Sequence, residues 1–499
     1  MELQFTKSVM PCLQTVAREV QTQEQTQEVR LSDGMPDIGR VLTSWGQILL
    51  RGKQWRGGSA GASGGVMVWV LYAPEDGTDA RCVETWLPFQ IEWDFPDTGR
   101  DGTLWVQPLL YSVDARSLSA RKLMVRANVG VLGCAVVPGE AECCMPENLP
   151  DDVCVLKNTY PVLLPVEAGE KLFPLEEALS LPATEAQLER IVKYTLHPKL
   201  TDSKIVSDKL VIRGVATLDL LYRGKDGQLH RYQWELPLSQ FAQLDSEYSA
   251  DATARIYFVV TALELEQSEE ETLALKAGIT GQYVICRRQE VEVVEDLYSP
   301  HRTVNPHRAR LQLPAVLDDR TYTLAETHKM ETGIMQVLDA VFYPEHPQVQ
   351  RAADTVSAAV SGQFQLLGYD REGQLQSAVS RWQDLLSADV SEDAVADVML
   401  TERVIPQVHT DGENANLRFE IPLQMQAVSR QGIPMVTGGE MGEQRQPDPN
   451  RPSLILRYAG ADSLWDIAKS TGSTVEAIQK ANDLSREPDE NQMLLIPVS

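Results

Sequence analysis

The sequence predicts a mainly β chain: three repeated β-sandwich-like units followed by a small β-α-α-β module. Three observations carry this. A set of landmarks recurs three times in one order. Within each recurrence, apolar and polar residues alternate with the period of a strand, as in Lys209-Leu210-Val211-Ile212-Arg213. After Pro452 the pattern changes to two short helical stretches between two short strands.

The first landmark is an apolar triplet with helical spacing: Ile38, Val41, Leu42; then Leu188, Ile191, Val192; then Ile334, Val337, Leu338. It predicts one short helix per copy. The second is an apolar run ending in tyrosine and followed by an acidic residue and glycine. It reads Tyr72 with Asp76-Gly77, Tyr222 with Asp226-Gly227, and Tyr369 with Glu372-Gly373. An acidic residue and glycine between apolar runs signal a hairpin, and the tyrosines are expected to pack across strands. The third is an alternating strand: Leu123, Val125, Ala127, Val129; then Leu273, Leu275, Ala277, Ile279; then Leu417, Phe419, Ile421. The copies are offset by 144 to 150 residues, far beyond the roughly 20 to 50 of solenoid repeats. Each is therefore long enough to be a domain.

The landmarks place an N-terminal segment and copy one in residues 1–140, copy two in 179–292 and copy three in 325–438. Proline-rich stretches between them are expected to be linkers: 141–178, with Pro146, Pro150, Pro161, Pro165 and Pro174, and 293–324, with Pro300, Pro306 and Pro314. Residues 439–452, with Gly439, Gly442, Pro447, Pro449 and Pro452, are expected to be a flexible connector to the module at 453–499. Residues 264–272 read as an acidic hairpin tip.

Composition limits the function classes. The formal charge of −26 disfavours nucleic acid as a partner, because phosphate binding needs clustered Lys and Arg. No apolar run reaches the roughly 18 residues of a membrane span. Residues 1–10 include Glu2 and Lys7 and no apolar core, so no signal peptide is expected and a cytoplasmic protein is. Seven cysteines suit a reducing compartment better than a disulfide framework.

In the C-terminal module, Asp462-Ser463 is placed to cap a helix carrying Leu464, Trp465, Ile467 and Ala468, with Gly472 ending it. Thr474 begins a second helix with Val475, Ile478 and Ala481 on one face, closed by Asn482-Asp483. Leu464, Trp465 and Ile467 are expected in the core. The run Ala461-Asp462-Ser463-Leu464-Trp465-Asp466-Ile467-Ala468, then Ile478, Asn482-Asp483-Leu484 and Asn491-Gln492-Met493-Leu494-Leu495-Ile496-Pro497, resembles a LysM domain. Ala461 and Asn491 stand where that family has glycine. The resemblance implies binding of N-acetylglucosamine glycans such as peptidoglycan. The groove it implies is formed by Asp462, Ser463 and Leu464 from one loop and Asn482, Asp483 and Leu484 from the other. Use of the same surface to bind protein stays open.

The segment from Gln27 to Leu42, with Ser32-Asp33-Gly34-Met35-Pro36-Asp37-Ile38-Gly39-Arg40, resembles the opening of the SPOCS domain. Val68-Trp69-Val70-Leu71-Tyr72 and Leu87-Pro88-Phe89 fit its later landmarks, as does Leu236-Pro237-Leu238 in copy two. Copy three, with only Trp382 and Leu385 there, is the most divergent. SPOCS copies followed by LysM are similar to the arrangement of SipL-like spore-coat morphogenetic proteins. That resemblance implies an adaptor in the mother-cell cytoplasm at the forespore surface. Its LysM module would dock onto a coat-scaffold ATPase, with other coat proteins as further partners. Peptidoglycan or its precursors are the alternative partner.

No catalytic residue, cofactor or metal is expected. HExxH, CxxC and GKS/T motifs are absent from the sequence. Cys134, Cys143, Cys144 and Cys154 cluster, but adjacent cysteines make poor zinc spacing and read as reduced thiols. The basic island with His301, Arg302, His307, Arg308 and Arg310 reads as solvated linker.

Overall fold

The computed structural model describes residues 1–56, 59–96, 99–268, 272–352, 354–392, 394–444 and 452–498. Strands hold 75% of the chain and helices 3%. Both helices found among the described residues lie in the C-terminal module. The mainly β class is as the sequence predicts.

Each copy is a pair of facing sheets. In copy one, Lys122–Pro146 pairs with Phe5–Arg30 on one side and Thr103–Ser119 on the other. The second sheet is Ile38–Arg56, Ser59–Pro74 and Arg81–Asp94. Alternating side chains of both sheets, among them Val66, Val68, Val70, Leu123, Val125 and Val129, are buried between them. In copy two, Leu273–Tyr298 lies between Cys154–Leu179 and Thr253–Gln267, and Leu188–Gly224 pairs with Leu229–Tyr248. In copy three, Asn414–Ser429 pairs with Val316–Glu331, Ala394–Leu400 and Gln407–Thr410. Its second sheet centres on Thr355–Tyr369, flanked by Gln336–Pro344, Gln348–Ala352 and Leu375–Asp389.

The hairpins form where the acidic-Gly pairs place them. Gly77, Gly227 and Gly373 adopt φ of +72°, +83° and +75°, a left-handed turn conformation that glycine enters without a Cβ clash. The preceding tyrosines do more than pack. The Tyr72 hydroxyl donates to Pro36 O at 2.9 Å, and the Tyr222 hydroxyl to Ala186 O at 3.0 Å, each reaching back 36 residues. The hairpin joining Thr253–Gln267 to Leu273–Tyr298 forms as expected, with residues 269–271 outside the described ones.

The apolar triplets are not helical. Ile38, Val41 and Leu42 open the strand Ile38–Arg56, and Leu188, Ile191 and Val192 open Leu188–Gly224. Val337 and Leu338 lie in Gln336–Pro344, with Ile334 just before it. The strand register slips between Ile38 and Arg40, between Val41 and Thr43, and between Val337 and Asp339. Each slip is a β-bulge that adds one residue to one strand. Such insertions break a two-residue alternation into steps of three and four, which imitate a helix.

The proline-rich stretches at 141–178 and 293–324 are strands rather than linkers. Pro161, Pro165 and Pro174 lie within Cys154–Leu179, and Pro306 within Arg302–Leu311. Both strands are at sheet edges, where the missing N–H leaves no ladder bond unmade. The expected connector at 439–452 begins as strand, because Ile433–Gln444 pairs with Arg302–Leu311 and with Glu2–Leu3. Residues 445–451, with Pro447 and Pro449, lie outside the described ones.

The first and last strands of the copies extend past the sandwiches and meet. Their ends supply Cys12, Ala141 and Cys143 from copy one, Val162, Leu164, Val291 and Val293 from copy two, and Leu311, Leu313 and Met435 from copy three to one apolar core. The sandwiches also touch pairwise. Leu196 N–H donates to Gln47 Oε1 at 3.2 Å, joining copies one and two. Lys193 Nζ donates to Asp339 Oδ2 at 2.5 Å, joining two and three. Gln365 Nε2 donates to Thr43 Oγ1 at 2.6 Å, joining three and one. The copies therefore form a closed ring around an approximate threefold axis.

Candidate functional site

The C-terminal module folds as its capping residues dictate. Leu454–Tyr458 and Met493–Pro497 pair antiparallel, and the helices Leu464–Thr471 and Val475–Ala481 cover one face of the pair. Ser463 Oγ accepts the Asp466 N–H at 3.1 Å, and Thr474 Oγ1 accepts the Ala477 N–H at 3.1 Å. These side chains satisfy first-turn donors that have no partner within the helix. Gly472 ends the first helix at φ +67°. Leu464, Ile467, Ala468, Ile478, Leu494 and Ile496 form the core.

The six loop residues identified from the sequence are placed as follows. Asp462 is exposed and pairs with Arg457 at 2.6 Å, while Ser463 is the helix cap. The Leu464 side chain is buried, and its N–H donates to Glu487 Oε2 at 3.0 Å. Asn482 clamps the second helix to the last strand: Nδ2 donates to Ile478 O and Leu495 O, and Oδ1 accepts the Leu495 N–H at 2.7 Å. Asp483 is exposed at φ +51°, and Leu484 is half-buried against the core. The two loops thus carry internal bonds at Ser463, Leu464 and Asn482. Exposed carboxylates remain at Asp462 and Asp483.

Trp465, expected in the core, instead faces copy two. Its Nε1–H donates to Asp296 Oδ2 at 2.9 Å, and its ring stands edge-on to Tyr298 at 4.8 Å. Lys469 Nζ donates to the same Asp296 oxygen at 2.5 Å, and Arg308 reaches Oδ1 at 2.6 Å. The Tyr298 hydroxyl donates to Ser473 O at 2.9 Å. Burial would raise the Asp296 pKa. The bonds from Lys469 and Trp465 and the charges of Lys469 and Arg308 outweigh it and hold the carboxyl below the usual range. Arg308 is therefore structural, and the basic island is strand rather than solvated linker. Arg302 pairs with Asp152 at 3.3 Å, and Arg310 bonds the Gly432 carbonyl at 3.3 Å. Neither Asp296 nor Tyr298 carries a signal in the sequence beyond strand alternation.

The outer face of the module is apolar and open. Leu454, Leu456, Tyr458 and Met493 project from one side of the two-stranded sheet and are 48%, 64%, 60% and 52% exposed. In register, Leu456 sits opposite Leu495 and Tyr458 opposite Met493, making one continuous patch. Among the described residues, no group of three or more His, Cys, Asp or Glu could hold a metal ion. The cysteines are free. Burial pushes the Cys134, Cys143, Cys144 and Cys154 thiols up, so at neutral pH they stay protonated. Among the described residues, no helix is long and apolar enough to cross a membrane.

Comparison with known families agrees with the resemblances. Residues 187–267 match the SPOCS domain of SipL, and residues 461–497 match the LysM domain. The first match spans the strands Leu188–Gly224, Leu229–Tyr248 and Thr253–Gln267 of copy two, and the second spans both helices and the last strand of the module. The chain carries a SipL-type SPOCS domain and a LysM domain, both binding modules of non-catalytic families. No curated protein and no solved structure matches it.

Proposed function

We propose that the chain is a non-enzymatic adaptor of spore-envelope assembly. Its LysM domain docks through the open sheet face onto a coat-scaffold ATPase at the forespore surface, in the mother-cell cytoplasm. The reading is supported by the pairing of SPOCS with LysM. The observation that carries it is the apolar patch of Leu454, Leu456, Tyr458 and Met493. Fully burying one such side chain contributes roughly 1.5–3 kcal/mol. The four are about half exposed, so covering them offers on the order of 4 kcal/mol before association costs. That suits a protein partner better than a hydroxyl-rich sugar.

In the full chain, Leu456→Glu and Tyr458→Glu should each abolish co-purification of the coat ATPase and leave the melting curve unchanged. Undiminished capture by both variants would overturn the assignment.

A second reading is favoured by the LysM match itself: peptidoglycan binding by the loops holding Asp462, Ser463, Leu464, Asn482, Asp483 and Leu484. It predicts saturable co-sedimentation with peptidoglycan that is lost in Asp462→Ala/Asp483→Ala and unaffected by Leu456→Glu.

A further inference from the structure

The axis of the ring holds a cavity of about 200 Å³, lined by the second strand of each copy, by Thr103–Ser119 and Thr253–Gln267, and by residues 400–403 of copy three. Thr43, Lys193 and Asp339 occupy equivalent positions on the second strands, each buried, and Lys193 lines the cavity. Lys193 Nζ bonds Asp339 and lies over the Trp45 ring at 5.1 Å. Arg231 Nε bonds Asp219 at 2.8 Å.

Arg403 joins this group through a local break in the fold. In copies one and two the strands Thr103–Ser119 and Thr253–Gln267 are continuous. In copy three the corresponding run stops at Leu400 and resumes at Gln407. The intervening segment lays Arg403 into the cavity wall, with its side chain 16% exposed.

Arg403 makes no hydrogen bond among the described residues. Its nearest carboxylate oxygen, Asp219 Oδ2, is 3.6 Å away. The group therefore holds three cations, buried Lys193 and the half-buried Arg231 and Arg403, against two buried carboxylates, Asp219 and Asp339. His197 is kept neutral by burial and by the neighbouring Arg403 charge. Lys199 and Glu402 pair at 2.7 Å at the mouth and cancel. One negative charge is missing, and the donors facing the gap form a planar fork.

We infer that the axial cavity is a binding site for a small organic monocarboxylate, held by Arg403 with its apolar body against Trp45, Phe258 and Phe342. The fork of a guanidinium matches a carboxylate in two parallel hydrogen bonds. A single negative charge neutralises the group, whereas a phosphate dianion overshoots. The volume falls below the roughly 300–1,000 Å³ of drug-sized pockets, so the ligand is small. Entry is through Glu402 and Arg403, which also line an adjoining surface groove.

The test uses the full chain, with benzoate as probe, benzyl alcohol as its neutral counterpart and inorganic phosphate as the dianion. Calorimetric titration should show saturable benzoate binding, with little or none for the other two. Arg403→Met should weaken benzoate by roughly tenfold or more, the loss of a charged hydrogen-bonded pair. Its melting midpoint should not fall, because the substitution leaves the group neutral. Arg403→Lys keeps the charge without the fork and should bind at intermediate strength. Absence of saturable benzoate binding to the unaltered chain would overturn the inference. So would equal binding of benzyl alcohol, or benzoate binding unchanged in both variants.

Discussion

The Lys193–Asp339 pair links two copies across the axis, and both side chains are 1% exposed. Removing either partner of such a pair costs about 3–5 kcal/mol in general, because a buried charge is left behind. The surrounding charges make the two removals unequal. Asp339→Asn leaves Lys193, Arg231 and Arg403 facing Asp219 alone, a net of +2, and should cost the full 3–5 kcal/mol. Lys193→Met leaves two cations and two carboxylates, with Arg231 still 3.8 Å from Asp339, and should cost about 1–3 kcal/mol. The double variant restores the original net charge and should be less destabilised than the two singles added together. Urea unfolding of the full chain measures all three against the unaltered protein, with stability read from midpoint and slope. A Lys193→Met cost equal to or above that of Asp339→Asn would refute the charge argument. An Asp339→Asn cost under about 1 kcal/mol would show that the pair is not desolvated.

Asp296→Ala removes the acceptor shared by Trp465 and Lys469 and should weaken LysM docking by about 2 kcal/mol, seen as faster proteolysis around residue 452. The depressed Asp296 pKa stabilises docking above its ordinary 3.8, and that contribution is lost as pH falls below this value. Tryptophan emission from Trp465 should shift red over that range in the unaltered chain only. His346 Nε2–H donates to Gln107 O at 3.1 Å and Nδ1 accepts from Tyr111 at 2.7 Å, and burial pushes its pKa down to about 4. The unfolded chain takes up this proton first, so stability is full above pH 6.5 and falls by about 3 kcal/mol between 6.5 and 4. Unfolding midpoints across that window should be flatter in His346→Asn. Tyr72→Phe and Tyr222→Phe should each cost about 1 kcal/mol by thermal melting, having lost equivalent bonds to Pro36 and Ala186. Tyr369→Phe should cost less, because its hydroxyl makes no hydrogen bond among the described residues.

Local chemistry made part of this fold readable. Ser463, Gly472 and Thr474 set both helices of the LysM domain to within a residue, because caps act on the chain next to them. The acidic-Gly pairs located hairpins for the same reason. The misreadings arose where an element answered to something distant. A bulge at Leu42 or Leu338 is fitted to the partner strand, and a proline at 161 or 165 is tolerated because its strand is the edge of its sheet among the described residues. Trp465 fits a core equally well by periodicity, and only Asp296, 169 residues away, identifies it as an interface residue. The ring left no trace in the sequence, since its bonds join residues such as Gln365 and Thr43, 322 positions apart.

Closure of the ring also orders how the chain reaches its native state. Leu3 pairs with Gly439, so the earliest strand waits for one of the last segments of the β body before its sheet is complete. Until then copy one presents the unsealed ends of Phe5–Arg30 and Lys122–Pro146, and the apolar core around Cys12 and Val293 lacks Met435. Contacts of such long sequence separation slow folding, and open strand edges recruit other chains. A chain truncated anywhere between residues 298 and 433 is therefore expected to aggregate rather than yield a smaller folded fragment.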